Sequence, residues 1–205
     1  MIDRHDLIPK HSPISMNSST ALRLLPILST TAAALVFTIC TRHVRTTRLS
    51  SLRPANLIAR FLDVPNQYVD VYETTLSRPT TVQEFARAFF ESPVFQVERR
   101  VLKLAGAGEV TDEAIQALNF EPGDAVATFQ VVENAPGEIL LCWSDKETVN
   151  GHSWLALTEN GTTVLFGSTI RNDSLFVRLA TPLHCMYAKI VLASARYELE
   201  KSLKE

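Results

Sequence analysis

The sequence predicts an α+β fold in which a curved antiparallel sheet holds one long C-terminal helix. Three observations predict it. Residues 138–171 alternate apolar and polar side chains and are cut by Asn150-Gly151 and Asn160-Gly161, the dipeptide whose turn geometry matches strand twist. Residues 174–203 repeat apolar side chains three and four apart, the period of a helix face. Between an early strand and the meander, residues 82–104 carry two short helical patterns.

In chain order, residues 68–76 alternate Tyr68, Asp70, Tyr72 and Thr74 with Val69, Val71 and Glu73, which predicts a strand. Thr81 and Glu84 form a capping box ahead of a helix with Phe85 and Phe89 on one face. Ser92-Pro93 ends that helix and starts another, because proline is favoured at the first helical position. There, Val94, Val97, Val101 and Leu104 are expected on the inner stripe, with Gly106 as the left-handed stop. Thr111 caps one more turn, with Ile115 and Leu118 inward.

Strands follow at 125–133, 138–144, 153–158 and 162–171, with 145–151 as a loop or a further short strand. The expected sheet is a four- or five-strand meander with the Tyr68 strand at one edge. Asp173 or Ser174 caps the last helix, whose stripe is expected to run Phe176, Leu179, Leu183, Tyr187, Ile190, Val191, Ser194 and Tyr197. Pro182 lies inside that pattern and predicts a kink, or a helix start capped by Thr181.

Composition sets bounds. With 205 residues, 46% hydrophobic and 20% charged, the chain holds one sizeable domain and an appendage. A net charge of −2 gives no sign of nucleic-acid binding. The charge is uneven: residues 1–62 carry eight Lys/Arg against Asp3 and Asp6, whereas the remainder is acidic. Cys40, Cys142 and Cys185 have neither disulfide-framework nor metal-ligand spacing, so no metal or cofactor is implied.

The division expected is a targeting or anchor segment at 1–62 and a folded domain at 63–205. Residues 24–40 contain no charged side chain, with Arg23 before them and Arg42, Arg45, Arg48 and Arg53 after. About 17 apolar residues is the lower limit of a spanning helix. A single-pass membrane anchor is therefore one reading. A mitochondrial presequence is another, since 7–62 contains no acidic residue and is rich in Arg, Ser and Thr. A secretory signal is a third.

The segments Tyr-Val-Asp-Val-Tyr-Glu from Tyr68, Ala-Arg-Ala-Phe-Phe-Glu-Ser-Pro from Ala86, Glu-Ile-Leu-Leu-Cys-Trp-Ser-Asp from Glu138 and Thr-Pro-Leu-His from Thr181 resemble a DUF-type domain family. That family is sometimes fused to short-chain dehydrogenases and is associated with the SRPBCC (START-like) superfamily of helix-grip folds. The resemblance covers about residues 68–196. It implies a cavity for a hydrophobic or amphipathic small molecule. Superfamily relatives include lipid carriers, polyketide cyclases and ring-hydroxylase subunits, and fold analogy does not choose among them.

The expected function is a binding or carrier module for a lipid, isoprenoid or polyketide-like molecule, tethered to a membrane through the N-terminal segment. Trp143, Trp154, Phe166, His184 and Tyr187 are the expected cavity lining, and His152 with Trp154, just after Asn150-Gly151, is a candidate for the cavity mouth, weighed against a turn histidine and a core tryptophan. Arg171, at a strand end, is a candidate for a ligand carboxylate, weighed against a surface ion pair with Asp173 or Glu133. The alternative is a cofactor-independent cyclase, isomerase or dehydratase with His184 or Asp145 as acid or base, His184 pairing with Asp145 or Asp70. No nucleophile elbow, phosphate loop or triad spacing is present.

Overall fold

Seven strands make one antiparallel, curved and unclosed sheet in the order β1-β2-β7-β6-β5-β4-β3. In the computed structural model they are β1 Arg45–Thr46, β2 Gln67–Thr75, β3 Ala125–Val126, β4 Phe129–Ala135, β5 Glu138–Ser144, β6 Gly151–Leu157 and β7 Thr163–Arg171. The helices are α1 Val82–Glu91, α2 Pro93–Leu104, α3 Asp112–Gln116 and α4 Leu175–Ser202. The structure describes residues 37–205 apart from 105, 107, 108, 147, 148 and 203–205.

Cys40–Glu205 form one unit, and the chain up to Ile39 falls in another. Most of 24–40 lies outside the described residues, as does the rest of the chain before residue 37; only 37–40 are seen, within a helical turn at 37–41. Among the described residues no helix is long and apolar enough to cross a membrane. Arg45–Phe61, which the sequence places in the tail, belong to the folded unit. β1 pairs with β2, and a 3₁₀ turn at Leu57–Phe61 covers the outer face of the sheet.

Local signals explain the elements. Thr81 and Glu84 exchange both bonds of the capping box, and Phe85, Phe89 and Phe90 are buried on α1. Gly106 takes φ +98° just past α2, a conformation glycine adopts without steric cost. Thr111 accepts from the Ala114 N–H at the start of α3, whose Ile115 is buried. Ser174 caps α4 by accepting from the Val177 N–H at 3.2 Å. α4 runs through Pro182, one residue after Thr181, whose hydroxyl donates to the Val177 carbonyl at 2.9 Å.

The two faces of the sheet carry separate cores. On the concave face α1 and α4 pack over Tyr72, Val131, Ile139, Leu141, Leu155, Val164 and Phe166. On the outer face Leu57, Ile58 and Phe61 pack on Val69, Val71, Leu140, Trp154 and Ala156. A single carboxylate fastens that cover: buried Glu138 accepts from Asn56 Nδ2 at 2.6 Å, the Leu57 N–H at 2.8 Å and Trp154 Nε1 at 2.8 Å.

Two stripes fall differently from expectation. In α2 it is Phe95 that is buried, while Val97, Val101 and Leu104 face outward. Phe95 wins because its ring meets Phe89, Phe90 and Phe129, and aromatic pairing adds to a larger buried area. In α4 the core face is Ala188, Val191, Leu192, Ala195 and Leu199, whereas Leu179, Leu183 and Tyr197 lie outside. Small residues let the helix approach the sheet closely. The side chain of Phe176 lies outside the described residues.

Candidate functional site

Between α2, α4 and the concave face of the sheet a cavity of about 250 Å³ remains. The aromatic side chains Phe89, Phe95, Phe129, Trp143 and Phe166 form most of its wall. Leu102, Ala188 and Val191 complete the apolar part, and Ser153, Ser168, Glu98, Tyr187 and His184 supply polar groups. Thus Trp143, Phe166, His184 and Tyr187, four of the residues singled out in the sequence, line one cavity.

Space for Trp143 comes from Gly151. A β-carbon at Gly151 would sit 2.5 Å from Trp143 Cη2 and nearer still to Cζ2 and Cε2. The indole therefore occupies the volume that a side chain at 151 would fill. Ser144 pairs with Gly151 across an irregularity in the β5–β6 ladder, which lets this happen next to the cavity.

The polar floor is built from alternation. In β2 the concave phase is Tyr68, Asp70, Tyr72 and Thr74, and in β7 it includes Phe166 and Ser168; Asp70 pairs directly with Ser168 across the ladder. Both are buried, at 6% and 2% exposure. The Ser168 hydroxyl donates to Asp70 Oδ1, and Tyr72 donates to Oδ2 at 3.2 Å. His184 Nε2, from α4 above, is 2.6 Å from Ser168 Oγ and 3.8 Å from Asp70 Oδ2. Cys185 Sγ lies 3.1 Å from the Tyr68 hydroxyl and 3.7 Å from Asp70.

This fixes the tautomer. The Ser168 proton is directed to Asp70, so His184 contributes the hydrogen on Nε2, and Nδ1 is the ring's remaining polar atom. Histidine and aspartate both contact the serine, and neither draws a proton from it toward the ring. That is not the order of a nucleophilic triad. Burial first, then Cys185 and the Asp70 charge, push the Tyr68 and Tyr72 phenols far up, so both stay protonated. Ser153 pairs with Ser168 across β6–β7 and adds a second hydroxyl to the floor.

At the opposite side Tyr187 donates to Glu98, tying α4 to α2. Burial raises the Glu98 carboxyl above its ordinary range, and the bond from Tyr187 opposes this in part. Tyr187 is itself pushed up, by burial first and then by Glu98. Tyr187 remains 39% exposed, so the cavity reaches the surface here.

The other sequence candidates lie elsewhere. Trp154 is on the outer face, 1% exposed, with its ring N–H on Glu138; it borders an open groove of about 560 Å³ whose rim includes Arg53, Glu73 and Glu159. Arg171 pairs with Asp173. Asp145 is exposed and is not part of the cavity lining. His152 packs against Phe61 at 4.7 Å between ring centroids, and burial lowers its pKa. Ser168, Ser153 and Glu98 go unread in the sequence, although a serine in phase with Val164 and Phe166 is a visible sign of a polar spot on a buried face. Among the described residues no group of three or more His, Cys, Asp or Glu could hold a metal ion. Comparison with family models, with curated proteins and with solved structures finds no match for this chain.

Proposed function

We propose that this chain is a binding or carrier module for a small hydrophobic molecule with one oxygen function, held between the sheet and α4. The observation that carries the reading is the 250 Å³ cavity, apolar on most of its wall, with one polar cluster at Ser153–Ser168–His184 and the Tyr187–Glu98 pair at the other side. Ligand sites have this composition: an aromatic enclosure with a few polar groups that fix orientation. The volume lies just below the roughly 300–1,000 Å³ of drug-sized sites. It suits a compact molecule, or one end of an acyl or isoprenoid chain whose remainder leaves past Tyr187. A hydroxyl on that end would donate to Ser168 Oγ, and a hydroxyl or carbonyl would accept from Ser153, while the bond to Asp70 keeps Ser168 in place. A membrane tether through residues 24–40 belongs to the same proposal, as does kinship with SRPBCC domains.

The test compares an n-alkanol with the n-alkane of equal length, by titration calorimetry on the full chain. The alkanol is expected to bind more tightly, by about tenfold for one net hydrogen bond. Ser168→Ala should reduce that preference, and Ala188→Leu, which fills the cavity, should abolish binding of both. Equal binding of both ligands, or binding that survives Ala188→Leu, would sink the proposal.

One observation favours a second reading: His184 Nε2 within 2.6 Å of Ser168 and 3.8 Å of Asp70. On this reading the chain is a cofactor-independent isomerase, cyclase or dehydratase, with Nδ1 of His184, the ring nitrogen left when Nε2 donates to Ser168, taking a proton from one position of the ligand and returning it at another. Asp145, the other sequence candidate, is too far out on the surface to share that role. His184→Gln should then abolish turnover and leave alkanol binding within a few fold; full turnover in that variant removes the reading.

A further inference from the structure

On α2 the spacing of Phe95, Glu98 and Leu102 puts a carboxylate on the same helix face as two apolar side chains. That face lines the cavity. No Lys or Arg belongs to the lining, and its one basic group, His184, sits at the floor with Ser168 and Asp70. Glu98 accepts from the Tyr187 hydroxyl through Oε2. Among the described residues Oε1 has no donor, and no Lys, Arg or His stands within ion-pair reach of either oxygen. Arg99, next along the helix, turns to the Val110 carbonyl and Asp112. Lys189 of α4 lies over the Tyr72 ring, 5.4 Å from its centre.

A carboxylate held among apolar side chains without a cation is costly, and burial accordingly raises the Glu98 carboxyl above its ordinary range. A glutamine at this position would accept the same Tyr187 bond without that cost, so tying α4 to α2 does not by itself require an acid. What the acid adds is attraction for positive charge. The wall beside it is aromatic. The Phe95 ring, one turn before Glu98, lies 5.4 Å from Phe89 and 5.5 Å from Phe129, and Phe89 lies 5.1 Å from Phe166. Ring faces carry negative potential, and aromatic enclosures hold ammonium groups for that reason. A bond from N⁺–H to a carboxylate is also about twice as strong as one between neutral groups.

We propose that the cavity takes an organic cation, a protonated aliphatic amine whose ammonium donates to Glu98 Oε1 while its hydrocarbon part fills the aromatic enclosure. The proposal rests on the cavity reading above and adds the charge of the ligand. Because Tyr187 stays partly exposed, the ammonium sits at the mouth and keeps part of its hydration. An oxygen function at the far end would still meet Ser153 and Ser168.

The test is titration calorimetry of the full chain at neutral pH with n-hexanol, n-hexylammonium and n-hexanoate. Hexylammonium is expected to bind about tenfold more tightly than hexanol, and hexanoate more weakly than either. Glu98→Gln, which keeps an acceptor for Tyr187, should remove the advantage of the ammonium and leave hexanol binding unchanged. Glu121→Gln removes the same charge from an exposed position between α3 and β3 and should change none of the three affinities. Ala188→Leu should abolish binding of hexanol and hexylammonium together. Hexanol binding with no gain for hexylammonium would overturn the cation and leave the cavity reading standing. An ammonium advantage that persists in Glu98→Gln, or that Glu121→Gln lowers equally, would overturn it as well. Ammonium binding that survives Ala188→Leu would place the cation outside the cavity, which also overturns it. If none of the probes binds, both readings fall.

Discussion

Gly151→Ala tests the cavity wall most directly. The added methyl would meet Trp143 Cη2 at 2.5 Å, against 3.4 Å for the near limit of ordinary contact, so the indole must retreat by about 1 Å or the β5–β6 pairing must open. The backbone at Gly151 is not in the left-handed region, so the cost is steric alone. Overpacking of this kind costs about 1–3 kcal/mol. In a unit of this size each kcal/mol lowers Tm by about 2–4 °C. Urea denaturation of wild type, Gly151→Ala, Trp143→Val and the double variant gives the cycle. The alanine should be costly beside the native Trp143 and close to neutral in the Trp143→Val background. Ligand affinity should fall with Gly151→Ala and return in the double variant. If the alanine costs as much without the indole as with it, the clash is not with Trp143, and the account of how the wall is formed is wrong.

Three further outcomes follow from named contacts. Glu138→Ala leaves Asn56, the Leu57 N–H and the Trp154 indole without their shared acceptor; a loss of about 3 kcal/mol or more is expected, with red-shifted Trp154 emission, and a loss below about 1 kcal/mol would show that the outer cover does not depend on it. Thr81→Ala removes the cap of α1 and should cost about 1 kcal/mol in urea denaturation, whereas an unchanged midpoint would mean the helix start is held by packing alone. Glu98 holds its proton more tightly folded than unfolded, because burial raises its pKa above 4.5. Stability therefore falls as pH rises through that raised value. Glu98→Gln should accordingly be the more stable protein at neutral pH, with an advantage that vanishes toward pH 4.5; an advantage constant across pH would place the cause elsewhere.

Strand and helix positions were legible where a local rule decides them: the capping box at Thr81 and Glu84, the Pro93 start, Gly106, and the Asn160-Gly161 turn. Face assignment in α2 and α4 was not, because both helices carry apolar residues on two sides. Which side turns inward depends on partners distant in sequence, namely the Phe89–Phe90–Phe129 cluster for α2 and the sheet beneath Ala188 and Ala195 for α4. The same holds at the site. Trp143 and Trp154 are equally aromatic in sequence, but they stand in opposite phases of adjacent strands, so only one reaches the cavity. Asp70 and Ser168 are 98 positions apart, and only the pairing of β2 with β7 brings them under His184. The basic, acid-poor stretch before residue 62 gave no hint that 45–61 would add a strand and a cover, since so short an addition has almost no periodicity to read.

The Glu138 fastening changes how the N-terminal part of the chain relates to the rest. Residues 45–61 are stitched along the β2 edge and across the back of the sheet, so a pull applied upstream loads the β1–β2 ladder and the three bonds to Glu138 before it can slacken anything. A fragment cut at residue 63 would lose that backing, bare Val69, Val71, Leu140 and Trp154 to water, and present an unprotected edge to its neighbours. The smallest piece expected to survive alone therefore starts near Cys40.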